Sequence, residues 1–178
     1  MKDRKLLNVE LGRLTPEEYR TQRPQSGIVL VLDNVRSAHN VGSAFRSADA
    51  FRADKVVLCG ISAVPPSAEI HKSALGAEMV VPFVHYDDTL AAVRALREEG
   101  FVVVSVEQTV DSVKLDAFVP APGPRYAFIF GNEVDGVRQD VVDASDFTLE
   151  IPQRGTKHSL NVSVSVGIIL WAATRNSL

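Results

Sequence analysis

The sequence predicts one α/β domain built around a largely parallel sheet. Short apolar runs rich in β-branched residues alternate with longer amphipathic segments from residue 28 onward, a pattern typical of successive βα units. The length of 178 residues suits one ordinary domain, and the chain has no repeat of fixed period and no low-complexity run. Its hydrophobic fraction of 46% and charged fraction of 23% match average soluble usage, so we expect a normal buried core.

Six apolar runs are predicted as strands, and the segments between some of them as helices. The strands cover residues 28–33, 55–60, 79–84, 101–106, 126–131 and 146–151, and the helices cover 40–52, 87–99 and 134–143. In the second helix Leu90, Val93 and Leu96 lie on a face opposite the charged side chains, and Gly100 is a suitable stop. The Pro-rich stretches at 64–67 and 119–124 are predicted as loops.

The last apolar segment fits two structures. The run SLNVSVSV alternates polar and apolar residues like a half-buried strand, and local propensity favours a strand through residue 166. However, Val162, Val166, Ile169 and Ala173 also fall on one face of a helix. The residue pattern alone leaves both interpretations open.

Residues 1–27 precede the first predicted strand as a short extension. They hold more basic than acidic side chains: Lys2, Arg4, Lys5, Arg13, Arg20 and Arg23 against Asp3, Glu10, Glu17 and Glu18. The segment can therefore form a basic arm, or equally the solvated face of a helix. The chain as a whole carries a net charge of −3, so any contact with nucleic acid is expected to be local.

Composition also limits the compartment and the cysteine chemistry. The chain lacks both the long apolar run that a membrane span needs and the apolar core of a secretion signal, so we expect a cytoplasmic protein. The single cysteine, Cys59, ends the apolar run KVVLC and is interpreted as a buried structural thiol.

Three polar clusters follow predicted strands, where open α/β sheets bind their ligands. The first, residues 33–51, contains Asn40, Gly42 and Arg46 at the start of a predicted helix whose amides could hold an anion. When the cluster is read alone, ordinary capping, with Arg46 pairing to Asp49 or to solvent, is the favoured interpretation.

The second and third clusters are also ambiguous when read alone. Residues 130–136 form a glycine-bounded turn around Glu133, and turns favour asparagine and glycine in any case. Residues 151–167 place Ser159 and Asn161 at a predicted helix start, where both could be simple caps. The crowding of small and polar residues in this valine-rich segment indicates that its backbone approaches something closely.

Several common chemistries are disfavoured by missing motifs. No G-x-G-x-x-G follows a strand, which argues against a dinucleotide site and against the common Rossmann methyltransferase. No phosphate-loop motif is present, so nucleotide hydrolysis is not expected. The four histidines, His39, His71, His85 and His158, lack zinc-ligand spacing, so no metal is expected. The adjacency of His158 and Ser159 is no sign of a nucleophilic triad.

Taken together and in order, the three clusters resemble motifs 1, 2 and 3 of the SpoU family, also called the TrmH family, of RNA ribose 2′-O-methyltransferases. The matching residues are Asn40, Gly42 and Arg46 for motif 1, Gly131, Asn132, Glu133 and Gly136 for motif 2, and Ile151, Pro152, Gly155, Ser159, Leu160, Asn161, Val162 and Ser163 for motif 3. Gln153 stands where the family usually has methionine. The resemblance covers about residues 28–175.

The resemblance implies a fold and an assembly that the residue pattern does not. It implies a SPOUT domain over residues 28–178, with a C-terminal deep trefoil knot that is a rare exception to unthreaded topology. On this basis residues 160–175 are expected to be helical, with Gly167 allowing close backbone packing at the knot. Family members are homodimers that bind RNA at the subunit interface, so the expected partners are RNA and a second copy, not DNA or a membrane.

The resemblance also implies the chemistry, which is methyl transfer from S-adenosylmethionine to a ribose 2′-hydroxyl. It makes Arg46, Glu133, Ser159 and Asn161 the expected catalytic residues, with Asn40 and Arg46 binding the substrate and Val106, Gly131, Ile151 and Leu160 holding the adenosine. A guanidinium is a weak base, so we interpret Arg46 as a clamp on phosphate and oxyanion rather than as the proton acceptor.

Three alternatives remain open beside this interpretation. The chain could be a non-catalytic dimeric RNA-binding module, a SPOUT enzyme that methylates a base, or a small-molecule α/β enzyme with a nucleotide cofactor. The intact motif residues argue against the first, the SLNVS pattern against the second, and the missing glycine-rich fingerprint against the third. Compact family members often act on tRNA, which slightly favours tRNA over rRNA as the target.

Overall fold

A seven-stranded sheet in which all neighbouring strands run parallel forms the centre of the molecule. The computed structural model describes residues 3–22 and 26–175. The strands are β1 (Ile28–Asp33), β2 (Lys55–Cys59), β3 (Phe83–Tyr86), β4 (Phe101–Val106), β5 (Val113–Lys114), β6 (Arg125–Phe130) and β7 (Phe147–Glu150), in the spatial order β3-β2-β1-β6-β4-β7-β5. All six predicted strands are present, and the predicted largely parallel α/β sheet is confirmed.

Helices cover both faces of this sheet. They are α1 (Pro16–Thr21), α2 (Ala38–Ala50), α3 (Ala68–Ala74), α4 (Thr89–Glu98), α5 (Gln139–Ala144) and α6 (Val162–Thr174), with short 3-10 turns at Asn8–Leu11 and Ala77–Met79. Alternate side chains of β1 point to opposite faces. Leu30 and Leu32 pack into the core with α2, α3 and α6, whereas Val29 and Val31 pack with α4 and α5.

Two predicted elements were placed wrongly along the chain. The predicted strand at 79–84 begins only at Phe83, because Pro82 interrupts the run and residues 77–79 form a 3-10 turn. The predicted helix at 134–143 begins only at Gln139, because residues 132–136 close into a turn. The sequence patterns also missed α3 and the two-residue strand β5.

The C-terminal segment is helical, as the family resemblance implied and the alternation of SLNVSVSV did not. Helix α6 starts two residues later than expected, because the Asn161 side chain accepts a hydrogen bond from the Ser163 amide at 2.8 Å and so caps the helix. The expectation for Gly167 was wrong. A β-carbon at this position would have no atom of another element within 4 Å among residues 3–22 and 26–175, so packing within this part of the chain does not require the glycine.

Gly42, in contrast, lies where two helices cross closely. A β-carbon there would be 2.1 Å from the Ser73 hydroxyl and 2.3 Å from the carbonyl oxygen of Ile70 on α3. The Ser73 hydroxyl also donates a hydrogen bond to the carbonyl oxygen of His39 at 2.9 Å. The absence of a side chain at residue 42 thus allows α3 to fix the start of α2.

The N-terminal extension includes helix α1 in the part that can be described. Thr15 and Glu18 cap this helix reciprocally, and the Arg52 guanidinium stacks over the Tyr19 ring at 4.2 Å from its centre. Lys2 and Arg23 of the predicted basic arm lie outside the described residues. Of the helices in residues 3–22 and 26–175, none is long and apolar enough to cross a membrane.

Candidate active site

A polar cavity of about 490 Å³ lies beyond the carboxyl ends of β4, β6 and β7. This is the edge of a parallel sheet where ligands are expected. All four residues predicted to hold an adenosine line the cavity, namely Val106, Gly131, Ile151 and Leu160. Glu133, Ser159 and Asn161 line it as well. The fold thus brings the second and third polar clusters of the sequence to one cavity.

Glu133 connects that cavity to the first cluster. Its carboxylate accepts hydrogen bonds from the side-chain amide of Asn40 at 2.9 Å and from the backbone amides of Arg36 and Ser37, both at 3.2 Å. The two backbone amides precede α2, so the carboxylate fixes the start of that helix. Two strand ends that are far apart in sequence are joined in this way.

Asn40 extends the same network to α6. It is only 7% exposed, and its side-chain oxygen accepts a hydrogen bond from the Asn161 amide at 3.1 Å. Because the ionised Glu133 can only accept, the Asn40 amide nitrogen must face it and the Asn40 oxygen must face Asn161. The Asn161 oxygen is then free to accept from the Ser163 amide and hydroxyl, so every member has a fixed orientation.

The pKa of Glu133 lies below its ordinary value. Desolvation acts to raise the pKa, but the hydrogen bonds from Asn40 and from the backbone amides of Ser37 and Arg36 outweigh it and favour the charged form. Glu133 is therefore a carboxylate at neutral pH, consistent with a role as an acceptor.

Arg46 lies apart from these contacts. It is exposed on α2, is not part of the cavity wall, and forms no side-chain hydrogen bond or ion pair within residues 3–22 and 26–175. The possible pairing with Asp49 is therefore not formed. Arg36 and His39, at the start of the same helix, are also exposed. The guanidinium of Arg46 is thus available to an external anion.

Several residues of the cavity wall were missed by the sequence analysis, among them Glu107 and Gln108. Glu107 and Gln108 follow β4 directly, and the Gln108 side chain donates a hydrogen bond to the carbonyl oxygen of His158 at 2.7 Å. Their position after a strand was the available signal, but no motif distinguishes them from ordinary loop residues. In the described segments no group of three histidine, cysteine, aspartate or glutamate side chains is placed to hold a metal ion.

The sheet and the cavity define an α/β protein with a polar cavity at the carboxyl ends of parallel strands, the place where nucleotide- and cofactor-binding enzymes of this class hold their ligands. The chain belongs to the SpoU rRNA Methylase family, whose sequence profile matches residues 27–171. This confirms the resemblance that the three clusters carry.

Similar sequences bear the name 23S rRNA (guanosine-2′-O-)-methyltransferase RlmB. The protein of Nitrosomonas europaea is 37% identical over 155 residues, which covers 85% of this chain and 57% of that protein. The protein of Vibrio parahaemolyticus is 34% identical over 156 residues, covering 86% of this chain and 61% of its own length. The chain therefore spans about three fifths of the length of these curated relatives.

Solved structures with the same fold include an AdoMet-bound rRNA methyltransferase from Sinorhizobium meliloti. It superposes with a TM-score of 0.79 and 30% identity, over 93% of this chain and 62% of that one. The TrmH/SpoU tRNA modifying enzyme of A. aeolicus superposes with a TM-score of 0.78 and 25% identity, over 90% of this chain and 81% of that one.

Proposed function

We propose that this protein transfers a methyl group from S-adenosylmethionine to a ribose 2′-hydroxyl of RNA. The observation that supports this most directly is the hydrogen-bonded series Glu133, Asn40 and Asn161, which joins motif 1 to the two motifs that line the cavity. If the turn that carries Glu133 and the starts of α2 and α6 served only local structure, these three segments would not need to contact one another. The names of the similar proteins support the same reaction.

The cavity has the size and charge that suit the cofactor. Its volume of about 490 Å³ is within the usual range for small-molecule sites. Four of its lining residues are acidic, Glu107, Glu133, Asp135 and Glu150, and no lysine or arginine is among its described lining residues. An acidic wall attracts a cationic ligand. When bound there, S-adenosylmethionine supplies an electrophilic methyl group on a positively charged sulfur.

The protein's own residues would align the acceptor oxygen with that methyl group. Arg46 clamps a backbone phosphate of the RNA and stabilises the charge that develops on the 2′-oxygen as this oxygen forms its bond to the methyl group. The bond from the methyl group to sulfur breaks, so S-adenosylhomocysteine is the leaving group, and the hydroxyl proton is released to solvent. Asn40 holds the ribose or its phosphate beside the cavity. Glu133, Ser159 and Asn161 shape the site between nucleotide and methyl donor, while Val106, Gly131, Ile151 and Leu160 hold the adenosine.

Ribosomal RNA is the better-supported target. The sequence slightly favoured tRNA, but the curated relatives described above are named for 23S rRNA. The A. aeolicus structure is described as a tRNA modifying enzyme, so similarity to both classes exists. A site that handles RNA also fits a cytoplasmic protein.

The face of α6 that points away from the core supports a homodimer. Val164 and Trp171 are two helical turns apart on this face and are 49% and 55% exposed, and Leu160 precedes them on the approach to the helix. Exposed apolar side chains in such a row are typical of an association surface. Val164→Glu should convert a dimer to a monomer in sedimentation velocity.

We further propose that the C-terminal segment is knotted and that residues 28–178 form the catalytic domain, with residues 1–27 as an appended arm. The packing of α6 into the core beside α2, and of Val166, Ile169 and Leu170 among the strand side chains, supports a tightly integrated C-terminus.

The test is methyl transfer with purified protein and labelled cofactor. Incubation with total RNA should yield label in alkali-resistant 2′-O-methyl nucleotides, and site mapping would identify the molecule. Cofactor binding without transfer to any cellular RNA would instead favour the non-catalytic RNA-binding module. Label on a base would identify the base-methylating alternative.

A further inference from the structure

Two carboxylates from neighbouring strands hold the backbone directly after the turn at residues 132–136, which carries Glu133. Strand β6 lies between β1 and β4, and the turn follows β6 directly. Asp33 ends β1 and accepts a hydrogen bond from the Arg138 amide at 3.2 Å. Glu107 follows β4 and accepts from the Val137 amide at 3.0 Å. Two consecutive amides are therefore held from opposite sides.

Burial of the Asp33 carboxylate removes it from water, which costs free energy unless its oxygens find hydrogen-bond donors. Its side chain is fully buried, and it also accepts hydrogen bonds from the Thr89 hydroxyl at 2.5 Å and the Asn34 amide at 2.9 Å. A buried carboxylate is retained only when its acceptors are satisfied. One of its two oxygens accepts from the Arg138 amide. Asp33 therefore also holds the backbone that follows the turn.

Glu107 is fitted to the turn just as closely. One carboxylate oxygen accepts from the Gln108 amide at 2.8 Å, and the other accepts from Val137. A β-carbon on Gly136 would lie 2.2 Å from that second oxygen, and Gly136 has a positive φ of 71°. Only glycine combines this backbone conformation with the space that the carboxylate needs.

The turn is also rigid within itself. The Asn132 side-chain oxygen accepts from the amides of Val134 and Asp135, both at 2.9 Å, and the backbones of Asn132 and Gly136 exchange hydrogen bonds. Because the turn is rigid and the backbone after it is held at Val137 and Arg138, the backbone at Glu133 has little freedom to move. The position of Glu133 relative to the start of α2 then depends on the two carboxylates beneath it.

We infer that Asp33 and Glu107 are positioning residues that set the place of Glu133, and through it of Asn40, in the reaction proposed above. Neither contacts Glu133 directly in the structure. Each acts through a backbone amide directly after the turn, Asp33 through Arg138 and Glu107 through Val137.

Amide hydrogen exchange tests this inference without any catalytic readout. Asp33→Asn and Glu107→Gln each leave one accepting oxygen where the carboxylate uses two, so one bound donor loses its acceptor in each variant and the support of the turn weakens. Exchange should therefore rise at Val137 and Arg138. The decisive amides are those of Arg36 and Ser37, which bind Glu133 and neither of the substituted carboxylates. Their exchange should also rise, by about ten-fold for the loss of one ordinary hydrogen bond of support.

Unchanged exchange at Arg36 and Ser37, with faster exchange at Val137 and Arg138, would overturn the inference. Asp111→Asn and Glu98→Gln are matched controls, because both side chains are exposed and form no side-chain hydrogen bond or ion pair within residues 3–22 and 26–175. If Asp33→Asn does not fold, Glu107→Gln at the cavity wall still decides the question.

A kinetic cycle adds a second readout. As single substitutions in an otherwise unchanged chain, Asp33→Asn and Glu107→Gln should each lower kcat more than they raise KM for RNA. With the cofactor at a saturating concentration, so that the loss of one acidic side chain from the cavity wall in Glu107→Gln has no effect on kcat, the same changes in a Glu133→Gln background should lower kcat no further, because residues that act through one group are not additive. Additive losses would contradict the inference. Absence of methyl transfer by the wild-type protein would instead remove the proposed function and leave the exchange result standing.

Discussion

The side-chain amide of Asn40 bonds two residues that lie 93 and 121 positions later in the chain, Glu133 and Asn161. It donates to the first and accepts from the second. Because an ionised carboxylate cannot donate, the direction of every hydrogen bond in the series follows from Glu133. Asn40 is therefore the residue through which the start of α2, the turn after β6 and the cap of α6 are held together.

Asn40→Ala should destabilise the protein and reduce methyl transfer strongly. The change leaves Asn161 without an acceptor and takes one donor from Glu133, and a lost partner in a buried hydrogen-bond network costs about 1–3 kcal/mol. Urea unfolding measures the stability and a labelled-cofactor assay the transfer. Asn8→Ala, on an exposed 3-10 turn, is the control. Equal stability of Asn40→Ala and this control would contradict the prediction.

Arg46→Ala should abolish transfer while cofactor affinity stays near that of the wild-type protein. The guanidinium is exposed and outside the cavity wall, so its loss removes a phosphate contact without altering the cofactor site. Arg46→Lys should recover little, because an ammonium cannot make the planar two-point contact. Calorimetric titration and single-turnover assays separate the two steps. Arg94→Ala on α4 is the control, and retained transfer by Arg46→Ala would refute the assignment.

Gly42→Ala should lower the free energy of unfolding by about 1–3 kcal/mol, the usual cost of overpacking. Its methyl group would enter the space of the Ser73 hydroxyl and the Ile70 carbonyl oxygen. Thermal and urea unfolding provide the measurement. Gly155→Ala is the matched control, because a methyl group there would have no neighbour within 4 Å. Equal effects at the two positions would rule out the helix crossing as the cause.

Acidification should remove the contribution of Glu133 to stability. Its pKa in the folded protein lies below the ordinary value of 4.5, so the contribution is present above that value and is lost as the pH falls through the folded pKa. Glu133→Gln lacks this dependence. The difference in urea midpoint between wild type and variant should be constant at neutral pH and should shrink below about pH 4.5. A difference that persists at low pH would show that Glu133 is not held as a carboxylate.

Cys59 should be inert to thiol reagents in the native protein. The thiol is buried, and burial raises its pKa to about 12, so almost no thiolate is present at neutral pH. A colorimetric thiol reagent should react slowly with folded protein and promptly after addition of denaturant. Prompt reaction of the native protein would show that the strand end of β2 opens readily.

The strands were the most predictable part of the fold. Apolar runs such as residues 28–33 can be buried only between two layers of helices, and they are strands as expected. The short helix α3 was missed because its seven residues follow two prolines and carry no clear apolar periodicity. The choice of helix for residues 162–174 came from the family resemblance, since local alternation favoured a strand through residue 166.

The site was predictable only in part. Its polar clusters could be found from their places after strands, and the family resemblance gave their meaning. The contact of Asn40 with Glu133 and Asn161 depends on strand order, which no local pattern encodes. The contribution of Asp33 and Glu107 to the position of Glu133 was missed for the same reason. In the sequence, a single carboxylate at the end of a strand is the same whether its side chain faces water or a backbone amide.

The late position of α6 has a consequence during protein synthesis. The sheet strands that flank the cavity are complete once residue 150 has been made, whereas Ser159, Asn161 and the helix that follows them are made later. Chains emerge from the ribosome at about 5–20 residues per second and fold as they do so. A nascent chain would therefore complete its seven strands before α6 can add Val166, Ile169 and Leu170 to the core. A chain arrested just after residue 150 would have the whole sheet but would lack both these buried side chains and the part of the cavity wall that Ser159 and Asn161 form.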